Sequence, residues 1–209
     1  MLNRRTFMGA ALAAPAVFSS VSAFAQSKRL SIALLQGFGY APLTLAKQGR
    51  WLEDALPGTK VDWRVVASSA VTREGMLAGE IDVGAGSVAP FLIGRDRGLK
   101  IGLVSALNVI DLWMVTNDPA ITSLKDFTPA KKIAVPGPDT NQAFLVRYAA
   151  QQQLGDARAL DGNFQPMPHP DALQAIITNQ VAAYMSSPPF QNEAVKRGAR
   201  KILDGESLF

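Results

Sequence analysis

The 209-residue chain contains no cysteine and only one histidine. Without cysteine there can be no disulfide, thiolate zinc site, iron–sulfur cluster or cysteine nucleophile, and an N-terminal lipid anchor on cysteine is not expected. A single histidine leaves little capacity for metal binding or acid–base catalysis. We therefore expect no metal and no other cofactor in this protein.

Residues 1–25 have the pattern of an export signal. The basic pair Arg4-Arg5 precedes an uncharged apolar stretch from Phe7 to Val21, and Ala23-Phe24-Ala25 has the A-x-A form of a cleavage site. Asn3–Met8 also resembles the twin-arginine signal, which exports folded proteins, while an ordinary secretory signal is the alternative. Either route predicts a soluble, exported protein, with the periplasm as its destination.

Charged residues are scarce, at 18% of the chain, whereas 48% of the residues are hydrophobic. This composition is typical of a globular protein with an adequate core. When Arg4 and Arg5 of the leader are set aside, 19 basic and 17 acidic residues remain, a net charge of +2. So small an excess does not favour binding to nucleic acid.

After the leader, short β-rich runs alternate with helical ones, which favours α/β layers with a largely parallel sheet. A break at Asn117-Asp118-Pro119 separates two such series. We predict a first α/β lobe at 26–117 and a second at 118–209. The predicted strands are 30–35, 61–66, 81–84, 101–106, 112–116, 132–135, 164–167, 181–185 and 200–203. The predicted helices are 42–56, 70–79, 88–98, 141–154, 170–178 and 189–197, with a one-turn helix at 122–126.

Four of the predicted strands end in a small polar loop that opens a helix. These loops are Gly37–Pro42, Ser68–Ala70, Gly86-Ser87 and Gly137–Thr140. In open parallel sheets such loops converge on a crevice where ligands bind. Helix N-termini there present unpaired N–H groups and the positive end of the helix dipole, which suits an anion or a polar oxygen. Since every α/β protein has such loops, the pattern predicts a cleft but no particular ligand.

A set of short motifs in a fixed order resembles the periplasmic substrate-binding proteins of ABC importers, in the nitrate, sulfonate and taurine group. The motifs span most of residues 30–203. In chain order they are Tyr40-Ala41-Pro42-Leu43, Ala46-Lys47-Gln48-Gly49-Arg50-Trp51, Gly79-Glu80-Ile81-Asp82-Val83-Gly84, Ser123-Leu124-Lys125-Asp126-Phe127, Lys131-Lys132-Ile133-Ala134-Val135-Pro136 and Ser187-Pro188-Pro189-Phe190.

The resemblance implies a two-lobed fold of the periplasmic-binding-protein type II class, with mixed, largely parallel sheets. A small anionic or zwitterionic solute would be trapped as the lobes close, because a ligand shifts such an equilibrium by its preference for the closed state. The closed protein would then deliver the solute to an ABC permease in the inner membrane. The resemblance also implies a monomer that binds its solute without catalysis.

The family's ligand contacts fall on the polar loops. The residues implied are Gln36, Tyr40, Ser68, Ser69 and Ser87 from the first lobe and Thr140 from the second. Tyr40 and Ser87 are favoured because Gly39 and Gly86 precede them and permit close approach of the backbone. For each of the six, an N-cap or turn residue without a ligand is the alternative.

Three further polar residues have two interpretations each. Asp139 fits a solvated helix N-cap better than a partner for the amine of a zwitterion. Arg73 fits a solvated helix face better than an anion contact. The single histidine, His169, lies between two prolines, which favours a surface turn or a helix cap over a catalytic role.

Members of this group continue for roughly another third of their length and return to the first lobe. This sequence stops near the end of the predicted second lobe, so we expect that return to be missing and hypothesise a truncated product. The first lobe would then leave an apolar sheet edge or face uncovered.

Two other functions are compatible with the pattern. Pyrimidine synthases of thiamine biosynthesis share this fold, although the sequence has no Ser-His-Asp spacing, phosphate loop or HExxH motif. A regulatory domain that uses the binding fold is the other alternative, and the export leader disfavours it.

Overall fold

The computed structural model describes residues 28–208, which contain eight strands and seven α-helices. The predicted signal peptide lies outside these residues. The strands are β1 (Lys28–Leu34), β2 (Thr59–Val65), β3 (Val83–Gly84), β4 (Trp113–Thr116), β5 (Ile133–Val135), β6 (Phe164–Pro166), β7 (Ala183–Met185) and β8 (Arg200–Asp204). The helices are α1 (Ala41–Gln48), α2 (Trp51–Ala55), α3 (Ser69–Leu77), α4 (Val88–Asp96), α5 (Asn141–Leu154), α6 (His169–Ile177) and α7 (Phe190–Lys196). Short 3-10 turns occur at Phe38–Tyr40, Leu124–Asp126, Asp161–Asn163 and Glu206–Leu208.

The strands form two sheets. A three-stranded sheet has the order β2-β1-β3 and is parallel throughout. A five-stranded sheet has the order β6-β5-β7-β4-β8, in which β5 runs parallel to β6 and β7, whereas β4 is antiparallel to β7 and β8. The predicted α/β class with mixed, largely parallel sheets is confirmed. We call the first sheet with α1–α4 the first lobe, and the second sheet with α5–α7 the second lobe.

The chain changes sheet earlier than the predicted lobe boundary after residue 117. The predicted boundary places the strand at 112–116 in the first lobe, but Met114 of β4 pairs with Met185 and Leu203 inside the second sheet. The reason is tertiary, because Met114 and Val115 are fully buried on opposite faces of that sheet. The Asn117-Asp118-Pro119 break ends a strand of the second lobe and does not separate the lobes.

The predicted strand at 101–106 is wrong. Residues 99–112 have no regular secondary structure, and Leu103 and Val104 are 73% and 95% exposed. A strand needs a neighbour that accepts and donates its backbone hydrogen bonds, and none of the described strands lies beside this segment. High β-propensity therefore did not produce a strand here.

The single helix predicted at 42–56 is divided in two. Its backbone turns at Gly49 and Arg50, and Arg50 has a positive φ of 56°. A side chain at position 49 would overlap the indole of Trp51, which explains why a glycine fits there. The other predicted helices are confirmed to within two residues at each end, and α5 has the predicted bounds.

The best-packed part of the described chain lies on both faces of the second sheet. Along β5, Ile133 and Val135 belong to one buried cluster and Ala134 to the other, as the two-residue period of a strand requires. Most exposed large hydrophobic side chains of the described residues lie instead between Phe38 and Ile110. The first lobe is therefore the less completely covered of the two.

Within residues 28–208, no helix combines the length and the apolar character needed to cross a membrane.

Candidate functional site

The two lobes meet at the carboxyl ends of their parallel strands. The loops that follow β1, β2 and β3 face the loops that follow β5, β6 and β7, as the cross-lobe hydrogen bonds show. Among residues 28–208, three such bonds join the lobes: Phe38 N to Pro188 O at 3.3 Å, Ala89 N to Asn141 Oδ1 at 3.0 Å, and Arg73 Nη2 to Asp139 Oδ2 at 3.2 Å. Helix starts from both lobes thus line a shared gap.

Three of the predicted first-lobe residues form one hydrogen-bonded group. Ser87 Oγ donates to Ser69 Oγ at 3.1 Å, and the hydroxyl of Tyr40 is hydrogen-bonded to Ser69. Burial raises the pKa of Tyr40 above its usual value, and the hydrogen bond to Ser69 only partly opposes this shift. All three groups are therefore neutral near pH 7 and can donate or accept hydrogen bonds.

Ser68 has a structural role that the sequence alone already suggested. Its Oγ accepts a hydrogen bond from Val71 N at 3.4 Å, which makes it the N-cap of α3. It is also close to the second lobe, because a Cβ placed on Gly137 would lie 3.8 Å from its Oγ. One serine thus caps a helix and borders the gap between the lobes.

Thr140 lies on the second-lobe side of the gap, but its hydroxyl is engaged locally. It is 1% exposed, and its Oγ1 donates to the carbonyl oxygen of Gly137 at 2.7 Å. It begins α5 without a side-chain hydrogen bond to that helix. Thr140 thus shapes the loop before α5 and leaves the backbone N–H groups of the first turn to face the gap.

Gln36, the sixth predicted residue, is exposed and lines a cavity between the lobes. The cavity has a volume of about 160 Å³ and lies between the ends of β1 and β2 and the start of α6. Six of its eight lining residues have apolar side chains, and the full set is Leu35, Gln36, Val65, Val66, Ala67, Pro168, His169 and Pro170. Gln36 and His169 contribute the polar side chains of this wall.

The expectation that His169 lies in a surface turn is wrong, although it does begin helix α6. It is only 8% exposed, and its ring stacks on Phe190 with centroids 5.3 Å apart. Its Nδ1 is hydrogen-bonded to the hydroxyl of Tyr184, and its Nε2 lies 3.2 Å from Ser187 Oγ and 3.3 Å from Gln142 Nε2. The sequence argument places ligand contacts in the polar loops that follow strands. Applied to the loop after β6, the same argument would have found His169.

Burial lowers the pKa of His169 to about 4. The imidazole is therefore neutral near pH 7 and offers one donor and one acceptor. Ser187 stands at hydrogen-bond distance, yet a base with so low a pKa is poorly matched to taking a proton from a serine at neutral pH. The group at His169 suits hydrogen bonding better than nucleophilic catalysis.

The expectation of a solvated Arg73 is also wrong. Arg73 is 5% exposed, and its Nη2 lies 2.6 Å from Glu74 Oε1 and 3.2 Å from Asp139 Oδ2. Burial alone lowers the pKa of Arg73, but the hydrogen bonds to Glu74 and Asp139 outweigh it, so that the pKa lies above its usual value. Asp139 thus pairs with the opposite lobe and is not a solvated helix cap.

The gap therefore presents hydroxyl, amide and imidazole groups together with helix N-termini. In the part of the chain that the structure describes, no three acidic or histidine residues stand close enough to hold a metal ion. Uncharged donors of this kind suit the oxygen atoms of a small polar solute.

Many solved structures are similar to this chain, and three of them illustrate the shared fold. The alkanesulfonate-binding protein SsuA from Xanthomonas axonopodis pv. citri, bound to MOPS, is 22% identical over 86% of this chain and 62% of its own, with a TM-score of 0.67. A ligand-binding component of an ABC-type import system from Staphylococcus aureus, with zinc bound, is 15% identical over 87% and 62%, with a TM-score of 0.64. The nitrate-binding protein NrtA from Synechocystis PCC 6803 is 18% identical over 86% and 52%, with a TM-score of 0.64.

The likeness to substrate-binding proteins of importers, predicted from the motifs, is confirmed at the level of fold. The chain spans 62% of the length of the first two of these proteins and 52% of the third. Curated protein sequences contain no significant match to it. The model of the NMT1-like family matches residues 24–208, and the chain therefore belongs to the NMT1-like family.

Proposed function

We propose that this protein is an extracytoplasmic solute-binding protein. It captures a small anionic or zwitterionic organic solute of the sulfonate, taurine or nitrate kind between its lobes and releases it unchanged to an ABC permease. The observation that carries the proposal is the meeting of the carboxyl-end loops of both sheets, joined by the bond from Ala89 N to Asn141 Oδ1. Such a gap between sheet ends is where α/β proteins bind ligands.

The first lobe supplies the main polar contacts for the solute in this proposal. Tyr40, Ser69 and Ser87 form a neutral hydrogen-bonded group at the starts of α1, α3 and α4. A solute oxygen that replaces one of their mutual hydrogen bonds also lies at the positive, N-terminal ends of α3 and α4. Ser68 and Gln36 extend this polar surface toward the second lobe.

The second lobe contributes the start of α5 at Thr140 and the ring of His169. His169 is an addition to the six residues predicted from the sequence, and its neutral ring forms part of the cavity wall beside Gln36. Because the pKa of His169 is about 4, protonation does not assist binding at neutral pH. Arg73, the buried cation at this gap, is already paired with Glu74 and Asp139, so binding rests on hydrogen bonds and helix dipoles.

The comparisons support the class of solute. One protein of the same fold is described with bound MOPS, a sulfonate, and another as nitrate-binding. The predicted signal at residues 1–25 supports export to the periplasm, where such proteins meet their permease as soluble monomers. A binding role without catalysis agrees with the poor match of His169 to a general base.

A thermal-shift screen of the full chain tests this function. Taurine, alkanesulfonates including MOPS, nitrate, bicarbonate, pyrimidines and aromatic carboxylates would each be added over a wide concentration range. A bound solute at a hundredfold excess over its Kd stabilises the folded state by about 2.7 kcal/mol. We expect a saturable rise in Tm with a sulfonate, taurine or nitrate, and unchanged solute by NMR after incubation.

Two serine variants locate the binding. Ser87→Ala removes a hydroxyl of the polar group, and we expect it to weaken binding of the responding solute by about tenfold or more. Ser105→Ala is the matched control, since Ser105 is exposed in the irregular segment and bonds only to the neighbouring carbonyl of Ala106. No response to any sulfonate, taurine or nitrate, or equal effects of both variants, would contradict the proposal.

A further inference from the structure

The cross-lobe pair of Arg73 and Asp139 differs from the other two bonds between the lobes. It is the charged one, whereas the bonds from Phe38 and Ala89 are donated by backbone N–H groups. Arg73 is anchored in the first lobe with a side chain only 6% exposed, and Asp139 lies in the loop before α5 with a side chain 32% exposed. One end of the pair is therefore fixed and the other borders water.

Arg73 also has a partner that does not depend on the second lobe. Its Nε and Nη2 lie 3.1 and 2.6 Å from Glu74 Oε1, on the same helix. When a buried arginine loses its only carboxylate, an uncompensated buried charge remains, at a cost of several kcal/mol. Glu74 prevents this, because it keeps the guanidinium neutralised after Asp139 has moved away. Separation of the lobes then exposes only Asp139, which water solvates.

We propose that Arg73, Glu74 and Asp139 form an electrostatic latch that sets the balance between the open and closed states of the two lobes. Asp139 favours the closed state, because its bond to Arg73 exists only when the lobes meet. Glu74 favours the open state, because it still neutralises the guanidinium of Arg73 after Asp139 has moved away. The role of the latch is to set the fraction of closed protein before the solute binds, and this role rests on the proposed function.

The latch would tune solute affinity without touching the solute. The apparent Kd of a protein that binds in its closed state is the intrinsic Kd divided by the closed fraction. A charge-assisted bond with one partly exposed member shifts such an equilibrium by about threefold to tenfold. Asp139 and Glu74 thus act as positioning residues for the lobes.

The absence of cysteine makes a direct measurement of the lobes possible. Lys60→Cys on β2 and Gln152→Cys on α5 place one spin label on an exposed position of each lobe. Pulsed electron resonance then reports the distribution of distances between the lobes in the full chain without added solute. The closed fraction is read from the short-distance population.

Two charge-removing variants carry opposite predictions. Asp139→Asn should lower the ratio of closed to open protein by about threefold to tenfold. Glu74→Gln removes one negative charge from the same guanidinium and should raise that ratio, since opening now leaves Arg73 unpaired. Raising sodium chloride from about 20 to 500 mM should lower the closed fraction of the parent chain but not that of Asp139→Asn.

The proposal is overturned if the parent chain shows no short-distance population, if Asp139→Asn leaves the distribution unchanged, or if both variants shift it in the same direction. These outcomes are separate from the solute screen. A functioning latch without any response to the solutes contradicts the proposed function alone, whereas solute binding with unchanged distances contradicts the latch alone.

Discussion

At the scale of single residues, the histidine environment shows how a polar group becomes stable in a core. Tyr184 is fully buried, and its hydroxyl is hydrogen-bonded to Nδ1 of His169. Burial raises the pKa of Tyr184 and lowers that of His169 to about 4, so that both groups stay neutral near pH 7. A neutral donor and acceptor satisfy each other without the cost of a buried charge.

Removal of the Tyr184 hydroxyl should therefore destabilise the fold. Tyr184→Phe keeps the ring but leaves a buried nitrogen of His169 without its partner, and we expect a loss of about 1–3 kcal/mol. Urea unfolding followed by circular dichroism measures this. Ser105→Ala is the control, because Ser105 is exposed and its hydroxyl bonds only to the neighbouring carbonyl of Ala106, so its change should stay within about 0.5 kcal/mol. Equal losses in the two variants would contradict the role given to the buried pair.

The low pKa of His169 predicts that the stability of the folded protein depends on pH. The folded-state pKa of His169 is about 4, below the usual value of 6.5, so the unfolded chain takes up a proton first as pH falls. The stabilisation is complete above about pH 7 and is lost progressively between about pH 6.5 and 4, with a loss of about 2 kcal/mol from pH 7 to pH 5.

Unfolding measured at a series of pH values checks this dependence. Because the chain has one histidine, His169→Gln should flatten the stability profile between pH 5 and 7. A parent chain whose stability does not change in this window, or a variant that keeps the parent slope, would refute the assignment to His169.

At the scale of elements, α3 packs unusually close to β3. A Cβ on Gly84 would overlap the side-chain methyl of Thr72, which is buried and β-branched. The helix therefore approaches the strand to a distance that only glycine permits. This contact orients the start of α3, where Ser68 and Ser69 border the gap between the lobes.

Gly84→Ala should accordingly destabilise the first lobe by about 1–3 kcal/mol through overpacking. It should also weaken solute binding, because α3 must move. Gly102→Ala is the matched control, since nothing lies within 4 Å of its added methyl group. Calorimetry compares the two, and a Gly84→Ala protein as stable as the Gly102→Ala protein would contradict the close packing.

The elements themselves were largely predictable from local patterns. Hydrophobic periodicity and caps such as Ser68 placed α3 and α5 to within two residues. The Ser123–Asp126 turn has the predicted one-turn helix with a capping box, in which hydrogen bonds from Thr122 and Ser123 lower the pKa of Asp126 to about 2. The strand predicted at 101–106 failed, because pairing in a sheet is not a local property.

At the scale of the whole molecule, the two lobes are unequally packed. The two buried hydrophobic clusters found in residues 28–208 both flank the second sheet, with Ile133 and Ile176 fully buried. Many large hydrophobic side chains of the first lobe remain exposed, such as Trp51 and Val88. Regions with few buried apolar contacts open more easily than well-packed cores.

Hydrogen exchange should therefore distinguish the lobes. We expect amides of β1 and β2 to exchange at least tenfold faster than those of β5 and β7 under native conditions, because the first lobe opens locally at lower free energy. Mass spectrometry of peptic peptides resolves these segments. Equal protection in the two sheets would show that the lobes unfold as one cooperative unit.

The sequence by itself determined the order of strands and helices, the polar turns and the family likeness, because periodicity, caps and glycine positions are local signals. The tertiary structure decided what depends on distant neighbours. It placed β4 in the second sheet, where Met114 and Val115 can be buried on both faces. It also buried His169 beside Tyr184 and joined Arg73 to Asp139 across the lobes, since a side chain's charge and exposure follow from what packs around it.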